Sequence, residues 1–190
     1  AHERLVAVMA PAQREAAAVR AGVGLFDASP LGKIEVTGAD AAKFLEHFYI
    51  NSVATLETGR VRYGLMLNES GVVIDDGTVA RLAADRFVVT TTSGGASRIA
   101  LWLEEWRQCE WPDLKVFVTP VTTQWATIAL AGPRARDVLS RFDTDIALDA
   151  ASFPHMSVRE GRLAGVPTRL YRVSCSGELG FAITGRASAG

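Results

Sequence analysis

Cysteine and histidine are scarce in this 190-residue sequence, and each scarcity excludes a class of chemistry. The only cysteines, Cys109 and Cys175, are too few for a disulfide scaffold or a thiolate metal site. His2, His47 and His155 lie far apart, with no His-x-x-x-His or Cys-x-x-Cys spacing around them, so no metal is expected. An excess of one charge is lacking too: the formal net charge is −1, with acidic and basic residues scattered along the chain. Without a basic stripe interleaved with aromatics, nucleic acid is not expected as a partner. No apolar run approaches the roughly 20 residues that span a bilayer, so no membrane association is expected. With too few cysteines for a disulfide scaffold, the cytoplasm is the default compartment, and the opening Ala1-His2-Glu3-Arg4 has neither the layout of a signal peptide nor an initiator Met. That opening and the small-residue end from Arg186 to Gly190 read as cut points, so residues 1–190 are expected to be part of a longer chain.

What is present reads as an ordinary folded domain. With 48% hydrophobic and 22% charged residues, the chain can bury one core or two smaller ones. Three segments carry an i, i+3, i+4, i+7 apolar stripe: Ala41-Phe44-Leu45-Phe48, Ile99-Trp102-Leu103-Trp106 and Ala135-Val138-Leu139-Phe142. Each predicts an amphipathic helix laid on a sheet. An Ala-rich stretch with Arg and Glu predicts a fourth over Pro11–Val19.

Between them lie β-rich runs at Lys33–Val36, Arg62–Leu67, Val72–Leu82, Phe87–Thr91, Lys115–Thr119 and Trp125–Leu130. Asn68–Gly71 and Ala83–Arg86 read as hairpin connections, which makes Arg62–Thr91 a three-stranded meander. A further hairpin joins Val158–Leu163 to Thr168–Ser174 through Ala164-Gly165-Val166-Pro167. Hairpins separated by helices predict an α+β fold rather than a parallel doubly wound sheet. The pattern Ile34, Gly38, Phe44, Leu45, Phe48 returns 94 residues later as Ile128, Gly132, Val138, Leu139, Phe142. Both copies read strand, Gly turn, helix, which predicts two related lobes.

Asp75-Asp76 is the oddest feature, because Asp is a poor strand former and both acids fall inside a strand candidate. Alternation puts Ile74, Asp76, Thr78 and Ala80 on one face and Val73, Asp75 and Val79 on the other. Whichever acid faces inward needs a hydrogen-bond partner or a ligand. Periodicity does not decide which one that is, and a solvated bulge would serve both. Glu178, flanked by Gly177 and Gly180 after a strand, could offer two parallel acceptors to a guanidine-like edge, or could simply be a turn residue. Thr90-Thr91-Thr92-Ser93-Gly94-Gly95 links a strand to a helix start, as anion-binding loops do, but lacks a P-loop lysine. N-capping by Ser93 is the simpler expectation there. Gly22-Val23-Gly24 lacks the rest of a dinucleotide fingerprint.

Several ordered segments resemble the aminomethyltransferase (glycine-cleavage T-protein) superfamily: Leu25-Phe26-Asp27-Ala28-Ser29, Tyr63–Asn68 with Gly71 and Ile74-Asp75-Asp76, and Ser176-Gly177-Glu178-Leu179-Gly180. Finer texture is similar to the large subunits of sarcosine oxidases, at Ser29–Val36, Glu110–Leu114 and Phe153–Val158. The resemblance implies a tetrahydrofolate pocket in which Asp76 acts on the reactive folate nitrogens and Glu178 binds the pterin. It also implies that the strand holding Phe87, Val89 and Thr91 lines the pocket, and Tyr63 joins this folate-binding set. An imine made from sarcosine by a flavin-bearing partner subunit would be captured to give glycine and 5,10-methylenetetrahydrofolate. FAD or FMN and NAD are expected only on other parts of such an enzyme. Ser29-Pro30-Leu31, Thr90-Thr91-Thr92 and Cys175-Ser176 depart from the T-protein pattern and agree with the sarcosine-oxidase branch. A dimethylglycine dehydrogenase-like or sulfonium demethylase-like relative, and a non-catalytic folate-binding scaffold, stay open.

Overall fold

Alternating side chains on one central strand set the whole layout, because its two faces meet two different layers. The computed structural model describes residues 2–189. The ends read as cut points, Ala1 and Gly190, lie outside the described residues, as does the side chain of His2. In chain order the elements are α1 (His2–Ala21), β1 (Gly24–Asp27), β2 (Gly32–Thr37), α2 (Ala41–Glu46), β3 (Val61–Leu67), β4 (Val73–Ala83) and β5 (Arg86–Thr91). They continue with α3 (Ala96–Cys109), β6 (Phe117–Pro120), β7 (Trp125–Ala131), α4 (Ala135–Leu139), β8 (Ser157–Leu163), β9 (Val166–Arg172) and β10 (Gly180–Arg186).

The strands form two antiparallel five-stranded sheets, ordered β3-β4-β5-β2-β6 and β1-β7-β10-β9-β8. The expected α+β class and the β3-β4-β5 meander are both present. The lobes interleave, since β1 belongs to the sheet otherwise built from the last four strands. On β2, Ile34 and Val36 point toward α2 and α3, where they join Phe44, Phe87, Val89 and Leu103 in the first core. Lys33 and Glu35 point the other way, toward the second sheet. That sheet buries its own outer face with Leu130, Leu139, Phe153 and Phe181 in a second core. Val61, Ala80, Val158 and Tyr171 form a small third cluster between the two sheets.

The internal echo is real in the backbone. β2 enters α2 through Gly38 at φ 122°, and β7 enters α4 through Gly132 at φ 129°. A Cβ at Gly38 would stand 2.2 Å from the Lys115 carbonyl oxygen, and one at Gly132 would stand 2.4 Å from that of Gly22. Both the dihedral and the close approach therefore require glycine. The third stripe ends early, because α4 stops at Leu139 and Phe142 is 48% exposed. The β8–β9 hairpin is tighter than its sequence suggests: Leu163 pairs with Val166, and only Ala164 and Gly165, both at positive φ, make the turn.

Tyr171 is 6% exposed in the cluster between the sheets, and burial pushes its phenol up to about 12, against the opposing pull of Arg169. Its protonated form is favoured by folding, so that contribution is fully present below the ordinary tyrosine value of 10.0 and is lost as pH rises through about 12. Equilibrium unfolding should show stability declining over that window. Tyr171→Phe should make the decline shallower, and an unchanged slope would count against the assignment.

Candidate functional site

The two adjacent aspartates are separated by a bulge in β4. Met66 pairs with Asp75 and Leu67 with Val73, so Ile74 is the extra residue. Ile74 consequently packs against the first core with the Asp75 face, rather than sharing the face of Asp76 as plain alternation had it. The Asp75 side chain is 1% exposed. Its Oδ1 accepts hydrogen bonds from the Thr92 backbone N–H at 3.1 Å and from the Asp76 N–H at 2.8 Å, while Oδ2 accepts from Thr92 Oγ1 at 3.2 Å. Thr92 Oγ1 in turn accepts from the Gly95 N–H at 3.1 Å. The turn entering α3 thus does hold an anion, and that anion is the chain's own Asp75. The expected Ser93 cap is absent: Gly95 is the N-cap of α3, with no side-chain cap.

Asp76 points to the opposite face. Tyr63 Oη donates to Asp76 Oδ2 at 2.6 Å, and that hydrogen bond, ahead of desolvation, raises the pKa of the phenol above its ordinary value. Tyr63 is 51% exposed, so the pair sits at the open edge of the sheet. Register extends this polar strip inward. Tyr63 pairs with Thr78, Thr78 bonds to Thr90 through both its N–H and its hydroxyl at 2.8 Å, and Thr90 pairs with Lys33. Thr78, Thr90 and Lys33 then line a cavity of about 450 Å³ between the two sheets. Phe26, Leu31, Trp125 and Tyr171 supply much of its apolar wall.

The loop before β10 borders the same cavity through Ser174, Cys175 and Ser176. Ser174 Oγ donates to the Glu178 carbonyl at 2.5 Å, and Gly177 takes φ 83°, which folds the loop back and leaves Glu178 half-buried, two residues beyond Ser176 of the cavity wall. The remaining expected site residues lie on the far side of β5. Phe87 and Val89 are fully buried in the first core and Thr91 is 2% exposed, so Val88 and Thr90 are the residues of that strand facing the cavity. The structure therefore pairs Tyr63 with Asp76 on the sheet face whose next residues, Thr78 and Thr90, line the cavity, while Tyr63, Asp76 and Glu178 themselves lie outside its lining. Only the backbone of Phe87, Val89 and Thr91 is placed to reach inward.

Sequence reasoning missed Lys33 and Arg169. Lys33 is 5% exposed, and its Nζ donates to the carbonyls of Ser29 at 3.0 Å and Leu31 at 2.9 Å. Burial lowers its pKa, opposed by the Asp27 carboxylate. Arg169 donates to Glu35 at 2.6 Å and Glu160 at 3.0 Å and lies 4.0 Å over the Trp125 ring. Both are charged residues at alternating strand positions, which in a sequence reads as a solvated face. Among the described residues no group of three or more His, Cys, Asp or Glu side chains could hold a metal ion, and no helix is long and apolar enough to cross a membrane.

A family model described as the GCVT N-terminal domain matches residues 6–190. The chain belongs to that family. Sarcosine oxidase subunit alpha from Corynebacterium sp. (strain P-1) is 49% identical over 171 residues, which cover 90% of this chain and 18% of that protein. A probable aminomethyltransferase from Haloarcula marismortui is 38% identical over 87% of this chain and 45% of its own length. Glycine cleavage system aminomethyltransferase T from Bartonella henselae, a crystal structure, superposes with a TM-score of 0.76 at 30% identity, covering 90% of this chain and 44% of that one. This GCVT N-terminal domain therefore spans less than half the length of each of these relatives, and about a fifth of the sarcosine oxidase subunit.

The division of labour between the aspartates of this GCVT domain can be tested by stability. A Cβ at Gly95 would stand 1.6 Å from Asp75 Oδ2, so Gly95→Ala must displace the carboxylate. Gly95→Ala and Asp75→Asn should each lower unfolding free energy by about 1–3 kcal/mol, the usual cost of an unmet buried polar group. Asp76→Asn, at the open edge, should stay within about 0.5 kcal/mol of the parent protein in denaturant titrations.

Proposed function

We propose that this chain is the folate-handling part of a sarcosine oxidase alpha subunit, with Asp76 as the group that acts at the one-carbon step. The observation that carries this reading is the unequal placement of the two aspartates. Asp75 is enclosed by Thr92 and the start of α3, whereas Asp76 stands on the cavity-side face with Tyr63 as its partner. The similarity to sarcosine oxidase alpha subunits over most of the chain supports this branch over the T-protein one.

The residues present suit tetrahydrofolate. A cavity of about 450 Å³ lies within the roughly 300–1,000 Å³ of small-molecule pockets, and its walls combine aromatic faces with a short polar strip. Glu178 would hold the pterin edge through paired acceptors. Val88 and Thr90 would face the ring from β5, with Phe87, Val89 and Thr91 fixing that strand from behind. When bound, tetrahydrofolate supplies a nucleophilic amine for a one-carbon unit. Asp76 would take up the amine proton as general base and balance the positive charge that develops beside it. Tyr63, its pKa raised, stays a phenol at neutral pH and holds one carboxylate oxygen, and the other would be the one that meets the ligand. The imine would come from sarcosine oxidised at a flavin on a partner subunit, in a cytoplasmic assembly.

Two substitutions in the complete enzyme separate binding from chemistry. Glu178→Gln should weaken 5-formyltetrahydrofolate by about tenfold or more in calorimetry, the scale of a lost charged hydrogen bond. Asp76→Asn should leave sarcosine-dependent flavin reduction intact while methylenetetrahydrofolate yield falls about 10²-fold, with formaldehyde released instead. If Asp75→Asn abolishes the folate product and Asp76→Asn preserves it, the reading is wrong.

A further inference from the structure

The cavity between the sheets contains a cation that no carboxylate neutralises. Lys33 is 5% exposed, and its two hydrogen bonds go to uncharged backbone carbonyls at 2.9 and 3.0 Å. None of the ion pairs among the described residues, taken to 4.0 Å, includes it. Arg169, the other buried cation on the cavity wall, is held by Glu35 and Glu160. Asp27, the acid acting on Lys33 from a distance, lies exposed and accepts a hydrogen bond from the Ser29 N–H at 2.8 Å. An ammonium carries three donors, so one remains beyond the two carbonyls, and Lys33 lines the cavity. Burying a charge without an opposite charge is costly, and an anion in the cavity would remove that cost.

The register places this cation relative to the rest of the site. Lys33, Thr90 and Thr78 follow one another across three neighbouring strands, and Asp76 lies one residue pair beyond Thr78 on the same face. At about 4.8 Å per strand, the backbones of Lys33 and Asp76 are about 10–12 Å apart. The strip therefore has a positive end on the cavity wall, two hydroxyls in the middle and a negative end at the open edge.

We propose that Lys33 Nζ is the anion-binding end of this cavity, and that the cavity takes a ligand bearing a carboxylate on a flat or apolar body. The inference does not rest on the folate reading, since it concerns the carboxylate alone. Two sources share that chemistry: the glutamyl tail of a folate, and the carboxylate of an N-substituted amino acid such as the one-carbon donor.

Benzoate and benzamide, equal in shape and different by one charge, test the site in the complete protein. Benzoate should bind at least tenfold more tightly than benzamide by calorimetry, and Lys33→Met should remove the difference. In the unsubstituted protein labelled with ¹⁵N-lysine, benzoate and not benzamide should shift the Lys33 ammonium signal, while those of exposed Lys43 and Lys115 stay in place. That readout holds even if Lys33→Met fails to fold. Displacement of benzoate by 5-formyltetrahydrofolate or by N-acetylglycine assigns the carboxylate to the folate or to the amino acid. Equal affinity for the two probes, no binding of either, no lysine shift, or displacement by neither competitor overturns the proposal and leaves Lys33 as a pin for the Ser29–Leu31 loop. Because 5-formyltetrahydrofolate affinity is measured directly, failure here is distinct from failure of the folate reading.

Discussion

Arg169 reaches from β9 across the gap between the sheets, and its guanidinium joins Glu35 on β2 to Glu160 on β8 while lying 4.0 Å from the centre of the Trp125 ring. Arg86, on β5, pairs with the same Glu160. Four charged side chains from both sheets thus neutralise one another at a place where neither sheet has a helix to pack against. Pairs of this kind contribute little net stability compared with apolar packing, and only Arg169, whose side chain is 8% exposed, would be left as a buried charge if its partners were removed. Their value here is geometric. The contact holds two sheets face to face at a fixed separation, and the cavity is what remains between them beyond the small apolar cluster around Tyr171.

On that frame, a single inserted residue decides the chemistry available. Without the bulge at Ile74, β4 would place Ile74 and Asp76 on one face in strict alternation. With it, Ile74 and Asp75 both turn toward the first core, and Asp75 meets the turn entering α3. Gly95 is required because the carboxylate lies where its Cβ would be. Asp75 therefore fixes the strand against the helix, and the strand in turn aims Asp76 at Tyr63 and the open edge. One carboxylate positions and the other is left available, although the two are neighbours in sequence and identical in type.

This explains how far the sequence could be read. The strands from β2 through β9 and α3 are legible because each carries its own period and its own turn residues, whereas α1 runs from His2 through the Pro11 read as its start, and α2 and α4 stop before the Phe48 and Phe142 of their stripes. β1 and β10 were not marked in advance: Gly24–Asp27 is too short to show a period, and Gly180–Arg186 mixes Gly and Arg with its apolar residues. Around Asp75 and Asp76 the sequence left a solvated bulge and a strict strand open; the bulge is there, at Ile74, but it buries Asp75 instead of solvating both acids, which depends on the turn before α3 that meets it. Lys33 and Arg169 were illegible for a different reason. Alternation tells which residues share a face, and it is silent on whether that face meets water or a second sheet. Lys33 and Glu35 look like a solvated face of β2, and only the fold shows that the other lobe closes over them.

The repeated strand–Gly–helix unit shows the same limit from the other side. Gly38 and Gly132 occupy equivalent backbone conformations, and each admits a crossing chain segment where a Cβ would clash. The apolar positions around them do not stay equivalent: Ile34 is fully buried and Ile128 is 47% exposed, and Phe48 is 5% exposed against 48% for Phe142. The first copy lies under the 14-residue α3, whose Ile99 and Leu103 cover the sheet. The second has the five-residue α4, with Ile146 and Phe153 from the following loop filling its core. Backbone geometry is thus common to both lobes, while burial depends on what is laid over each. The lobe with the long helix can hold its sheet rigid from behind, and it is that lobe whose opposite face carries Lys33, Thr90, Thr78 and Asp76. Behind that face stand Ile34, Phe87 and Val89, all fully buried in the first core, so the strands that carry these polar residues are packed from one side along their length.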